Sequence, residues 1–203
     1  MERMLKYRKI AVTGGLSSGK SSVCRFFKDL GAYVVSADLI VHQLLSPETA
    51  PGQKVIHLLG EEILVDRQID RSKVAQKVFN NPELLKSLEK ILHPAVWDEI
   101  ERSYQTAYRE QNTSLFVAEI PLLFEAGAEN IYDSTIAILA DPKVSQQHFM
   151  DATGLDAIAY EKRMAQQLSP YEKAHRADYV IINNGNLVDV QEMVKILFDQ
   201  LTQ

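Results

Sequence analysis

A chain of 203 residues, 46% hydrophobic and 24% charged, holds one sizeable core and a small appended subdomain, and excludes two full domains. A net charge of −5 and a pI near 5.6 exclude a global basic field that would recruit nucleic acid, so an anionic ligand must be met by locally placed bases. The single cysteine, Cys24, excludes an internal disulfide framework; with no apolar run of about 18 residues and no apolar core in the first residues, the expectation is a cytoplasmic protein without a membrane partner.

The first apolar run, Ile10–Thr13, reads as a strand and leads into Gly14-Gly15-Leu16-Ser17-Ser18-Gly19-Lys20-Ser21, followed by Ser22 and a helical pattern. The string fits G-x-x-x-x-G-K-[ST] in the strand–loop–helix context that gives this pattern its meaning. Gly14, Gly15 and Gly19 let the backbone turn so that the N–H groups of the loop, those of Ser17, Ser18 and Ser22 included, converge on anionic oxygens. Lys20 is placed to reach the β- and γ-phosphates and Ser21 to ligate Mg²⁺. The pattern predicts binding of a nucleoside triphosphate. On the following helix Cys24 reads as a small buried hydrophobe.

A second strand is predicted over Tyr33–Ser36. Asp38, just past it, suits two roles: a base that takes the proton of an attacking hydroxyl, or a cap of a helix beginning near Leu39. Some 80 residues, far more than a crossover helix needs, separate this strand from the next. Helices are expected there over Ile40–Leu45, Gln53–Leu59, Ser72–Phe79, Pro82–Leu92 and Ala95–Gln111, with Asn80-Asn81-Pro82 and His93-Pro94 as breaks.

The third strand, Leu115–Glu119, ends four apolar residues on a carboxylate, which makes Glu119 a second candidate for the Mg²⁺ shell, directly or through water. A fourth strand is predicted over Thr135–Leu139. Asp141-Pro142 after it favours a helix cap over a ligand. A second insert carries helices over Val144–Ala152, Ala157–Gln167 and Pro170–His175, and the fifth strand is Tyr179–Ile182. Strands alternating with helices predict an α/β fold with a five-stranded parallel sheet covered on both faces. Ligands of such sheets lie beyond the carboxyl ends of the strands, and the two helical excursions suggest a substrate-binding insert and a lid.

These residues together resemble the dephospho-coenzyme A kinase family. The matching elements are Thr13–Ser22, Ala37-Asp38, Asp70-Arg71 ahead of Val78-Phe79, His93-Pro94 and Ile120-Pro121-Leu122-Leu123-Phe124-Glu125. They continue with Arg163-Met164-Ala165 and Gln167, then Ala177-Asp178 before Asn183-Asn184-Gly185. The resemblance implies a P-loop kinase core (about 7–38, 112–142 and 177–203), an acceptor-binding helical insert (about 39–111) and a helical lid (about 143–176). It implies transfer of the ATP γ-phosphoryl group to the ribose 3′-hydroxyl of dephospho-CoA, with Mg²⁺. It also implies Asp38 as base, Arg71, His93, Pro121, Leu122 and Leu123 near the acceptor, and Asn184 and Gly185, with Asn183, near the adenine.

The chain departs from the family in three places. Ser36 stands where an aspartate is frequent, and His148 and Ala152 stand where lid arginines are usual. Arg163 is the leading candidate to supply the missing cation, ahead of Lys162, Lys173 and Arg176. Asp70 as a helix cap and Asn184-Gly185 as a plain turn are the structural alternatives. The rival functions are a kinase of another hydroxyl, such as a nucleoside or shikimate, and a non-catalytic nucleotide-binding module; the guanine-reading Asn-Lys-x-Asp string of a GTPase is absent. A monomer or weak homo-oligomer is expected.

Overall fold

Each of the five apolar runs forms a strand, three of them extended by one or two residues at an end. In chain order the strands are β1 (Arg8–Gly14), β2 (Tyr33–Ser36), β3 (Leu64–Val65), β4 (Gln68–Ile69), β5 (Leu115–Glu119), β6 (Ser134–Ala140) and β7 (Tyr179–Asn183). The helices are α1 (Lys20–Asp29), α2 (Ala37–Leu44), α3 (Ala50–Leu59), α4 (Arg71–Phe79), α5 (Pro82–Glu110), α6 (Pro142–Thr153), α7 (Ala157–Met164), α8 (Pro170–Arg176) and α9 (Leu187–Thr202). The structure, a computed structural model, describes residues 7–79, 81–110 and 113–203.

The main sheet has the order β2-β5-β1-β6-β7. β1 pairs in parallel with β5, Val12 opposite Glu119, and with β6, Gly14 opposite Ile138; β6 pairs in parallel with β7, Ala140 opposite Asn183. This register puts Gly14, Glu119 and Asn183 on one edge of the sheet, at the carboxyl ends where such sheets bind ligands. Ile10, Val12, Leu115, Val117, Ile136 and Ile138 are fully or almost fully buried. One face of α1 (Val23, Cys24, Phe27) and one of α9 (Val190, Val194, Leu197, Leu201) complete that core, each side chain contributing about 1.5–3 kcal/mol of burial. The apolar spacing along α9, Val190, Val194, Leu197 and Leu201, is helical, although no helix is expected there from the sequence.

The chain divides into two compact units: Ser36–Ser103, and the remainder of the described chain. The smaller unit has its own core, in which Val55 and Leu59 of α3, Val74 and Val78 of α4 and Leu88 and Leu92 of α5 pack with Ile63 and Ile69. Thr49 caps α3, accepting from the Gly52 N–H at 3.0 Å.

Two differences from the sequence reading have physical causes, and a third is a shift of helix bounds. His93-Pro94 does not break the chain: one helix runs from Pro82 to Glu110 with Pro94 inside it. Proline removes one ladder donor, and buried Leu92, Val96 and Ile100 on either side keep the apolar stripe unbroken. The predicted end of that helix at Gln111, and Asn80 of the predicted break, lie outside the described residues; Asn81 does start the helix, its side chain accepting from the Leu84 N–H at 3.1 Å. The hairpin β3–β4 was unread, because its strands are two residues long and its turn uses Asp66 and Arg67 at φ 48° and 63° in place of a glycine. Finally, α2 begins at Ala37, three residues earlier than predicted, and α7 ends at Met164, three residues before Gln167. No helix among the described residues is long and apolar enough to cross a membrane.

Candidate active site at the phosphate loop

The loop between β1 and α1 is held in a shape that two of its glycines make possible. Gly14 has φ 148°, and a Cβ there would lie 2.5 Å from the Ile138 carbonyl oxygen on β6. Gly19, which caps α1, has φ 88°, and a Cβ there would lie 2.2 Å from Nδ2 of Asn183. Between them Ser17 adopts φ 54°. Alternation of this kind turns successive N–H groups toward one concave spot, and the open first turn of α1 adds its dipole.

Lys20 is buried at the root of this concavity, its Nζ donating to the Gly15 carbonyl at 2.8 Å and lying 3.5 Å from that of Gly14. Ser21 Oγ donates to Oε1 of Glu119 at 2.8 Å, so the two oxygen groups assigned to Mg²⁺ from the sequence are in contact. Hydroxyl and carboxylate oxygens suit a hard cation that takes its remaining positions from phosphate and water. No group of three or more His, Cys, Asp or Glu suited to hold a metal occurs among the described residues. Cys24, on α1, is buried; burial, with a further push from Glu119, drives its thiol pKa well above the ordinary range and outweighs the pull of Lys20. It is a packing residue, as read.

Asn183 and Asn184 separate in role. Asn183 is buried and its Nδ2 donates to the Ser18 carbonyl at 2.9 Å, so it holds the phosphate loop from β7. Asn184 and Gly185 are exposed on the following turn. Asp178 accepts from both the N–H and the hydroxyl of Thr135, at 2.8 and 2.9 Å, and ties β7 to β6.

The run after β5 also divides. Leu123 has no exposed surface, while Leu122 is 45% exposed; burial assigns Leu123 to the core and leaves Leu122 as the leucine of the pair that a ligand can touch. The Pro121 carbonyl accepts from Thr13 Oγ1 at 3.1 Å and from Lys173 Nζ at 2.7 Å.

Of the cations in the segment from α6 to α8, Arg176 pairs with Glu129 and lies 4.6 Å above the Phe124 ring, and Lys173 is wholly buried. Arg163 is exposed, with its guanidinium 5.1 Å from the centre of the Phe149 ring; Lys162, His148 and Ala152 are exposed too. A pocket of about 140 Å³ separates the loop residues Gly15 and Ser18 from Tyr160 and Met164 of α7 and Tyr171 of α8. Asp141 caps α6, accepting from the Lys143 N–H at 2.8 Å, as favoured from the sequence.

In the smaller unit Asp38, Arg71 and His93 are all exposed. Asp38 is the second residue of α2 and Ser36 holds the cap position, so the capping role weighed for Asp38 is not the one it has. Asp70 does cap: its Oδ1 accepts from the Ser72 N–H at 2.7 Å and from that of Lys73 at 3.3 Å.

The family model described as Dephospho-CoA kinase matches residues 8–189. The chain belongs to the dephospho-CoA kinase family. A relative called dephospho-CoA kinase from Protochlamydia amoebophila is 52% identical over 199 residues, 98% of each chain. Among solved structures, a Thermus thermophilus protein superposes with a TM-score of 0.81 at 30% identity, covering 98% of this chain and 100% of its own. The dephospho-CoA kinase of Campylobacter jejuni superposes at 0.70 and 29% identity, covering 96% of each chain. A chain of this family is an ATP-dependent kinase. What sequence reasoning missed at the site is the supporting shell, Asn183 against Ser18 and Lys173 against Pro121, whose partners lie 165 and 52 positions away.

Proposed function

We propose that the chain transfers the γ-phosphoryl group of ATP to the ribose 3′-hydroxyl of dephospho-CoA, giving CoA and ADP, with the phosphate loop as the nucleotide site. The observation that carries this reading is the cluster of polar side chains at the carboxyl edge of the sheet. There Lys20 and the contacting Ser21–Glu119 pair adjoin a loop shaped for phosphate, in a chain 52% identical to a relative called dephospho-CoA kinase. Asp38 accepts the proton of the 3′-hydroxyl, and the freed oxygen attacks the γ-phosphorus as the bridging oxygen leaves with ADP. Lys20 and the loop N–H groups balance the charge on the transferring group, the kind of preorganised stabilisation that is usually the largest single effect. Ser21 and Glu119 are the residues that would hold Mg²⁺, which when bound would supply charge neutralisation to the transferring phosphate.

Arg71, His93, Pro121 and Leu122 serve the acceptor in this reading, and Asn184 and Gly185 the adenine side. Residues 143–176 act as a lid that carries Arg163, and 39–111 as the acceptor insert. The test is a panel with purified protein and ATP·Mg²⁺, offering dephospho-CoA, adenosine and shikimate in turn and following ADP release. Turnover confined to dephospho-CoA is expected. Preferential turnover of adenosine or shikimate would reassign the acceptor, and no turnover with any would leave a binding module.

A further inference from the structure

Lys173 is a lysine with no exposed side-chain surface, an expensive placement for a charge unless it is fully paired. It is paired. Its Nζ donates to the Pro121 carbonyl at 2.7 Å, to Oε1 of Glu125 at 2.9 Å and to Oε1 of Gln167 at 3.1 Å, and reaches the Gly14 carbonyl at 3.5 Å. Burial pulls its pKa down, and Glu125 pulls it back up.

The partners belong to three separate segments. Gly14 ends β1 and begins the phosphate loop; Pro121 and Glu125 follow β5, two and six residues past Glu119; Gln167 lies between α7 and α8. Glu125 Oε1 also accepts from the Leu168 N–H at 2.9 Å, drawing the same linker in. The helix that carries Lys173 is fixed at its start by a capping box of Ser169 and Glu172. Pro170 of its first turn lies so near the loop that a Cβ on Gly15 would be 2.9 Å from its Cγ.

We infer that Lys173 is a positioning residue for phosphoryl transfer, an ammonium beneath the phosphate loop that fastens the loop, the segment after the Glu119 strand and the root of the α6–α8 segment to one another. It does not face the nucleotide, so it does not replace a lid arginine. Its work is to set geometry. It holds the Gly14 carbonyl that Lys20 also approaches, so a Lys20 that follows the phosphates leaves that carbonyl with a donor, as a buried acceptor requires. It fixes Pro121 relative to Gly14, and with Pro121 the strand end that carries Glu119 to Ser21. Misplacement of reacting groups by about an ångström costs rate more than ground-state affinity. The inference rests on the kinase reading above.

The test separates position from mere stability. In Lys173→Met the side-chain volume is nearly kept and the charge removed. Assayed well below its melting temperature, it is expected to lose about 50-fold or more in kcat, while ATP affinity, measured by titration of the protein with a fluorescent ATP analogue, stays within about threefold. Gln167→Leu is the milder variant, since Gln167 is partly exposed, and about a fivefold loss of kcat is expected. In the Lys173→Met background, or in Lys173→Ala if the methionine variant does not fold, Gln167→Leu should cost nothing further, because it acts through the ammonium. Wild-type kcat in both Gln167→Leu and a folded Lys173 variant would overturn the inference, as would losses that simply multiply in the double variant. Failure of the kinase reading looks different: the wild-type protein itself would not turn over dephospho-CoA, whatever stands at 173.

Discussion

At the residue scale, Lys20 and Asp38 have different parts in the proposed chemistry, one toward the phosphates and one toward the acceptor hydroxyl. Lys20 is buried and hydrogen-bonded to loop carbonyls, yet it lies on the edge of the core and not within its apolar cluster. Lys20→Ala should therefore reduce kcat by at least about 100-fold, with the circular dichroism spectrum and thermal midpoint close to those of the wild type. Near-native turnover would remove the phosphate-loop assignment. Asp38→Asn keeps the size of an exposed group in the first turn of α2. A kcat loss on the order of 100- to 1,000-fold is expected from removing a base, with ATP affinity unchanged by equilibrium titration, because the group serves the acceptor. If the only change were in melting temperature, Asp38 would be a helix-dipole residue and the base would lie elsewhere.

At the level of elements, what could be read in advance follows from where the controlling interactions lie. The three central strands, β5, β1 and β6, were legible because their apolar runs are buried on both sides and carry the signal in a few adjacent residues, as in Leu115–Val117, whereas edge strand β7 leaves Val180 and Ile182 exposed despite an equally apolar run. The Asp70 and Asp141 caps were legible because donor and acceptor are two or three residues apart. Pro94 shows the limit of a local signal. Proline and the residue before it predict a helix end, but burial of Leu88, Leu92, Val96 and Ile100 along one face of α5 outweighs the lost donor. The structure thus implies a stored cost. Pro94 is exposed within the helix, and Pro94→Ala restores an N–H and a better helix former, which should stabilise the protein by about 1–3 kcal/mol. The check is the denaturant midpoint at unchanged m-value. A lowered midpoint would mean that the proline's shape is required by the packing around it.

For the whole molecule, the motif set predicted the reaction better than it predicted how each residue acts, since a motif records identity and not partners. Leu123 and Asn183 lie within runs that carry the resemblance and Lys173 between two such runs, and the structure gives them packing and loop-holding contacts. In the α6–α8 segment, proposed as a lid, His148 and Ala152 are exposed on α6. Arg176 and Lys173 are committed to other partners, which leaves Arg163 as the arginine of this segment whose side-chain contact among the described residues is a ring face. Stacking on Phe149 is worth about 0.5–1 kcal/mol at an exposed site, small enough for developing phosphoryl charge to draw the guanidinium away. Arg163→Ala should accordingly lower kcat more than it raises KM for ATP. Introducing the cation one helix earlier, Ala152→Arg, should raise kcat of the otherwise unchanged chain and recover part of the Arg163→Ala loss. The two substitutions then combine non-additively, because both supply the same charge. A complete cycle of kcat and KM over the four proteins measures that coupling. Full activity in Arg163→Ala with no gain from Ala152→Arg would show that phosphoryl transfer here draws its cations from the loop alone.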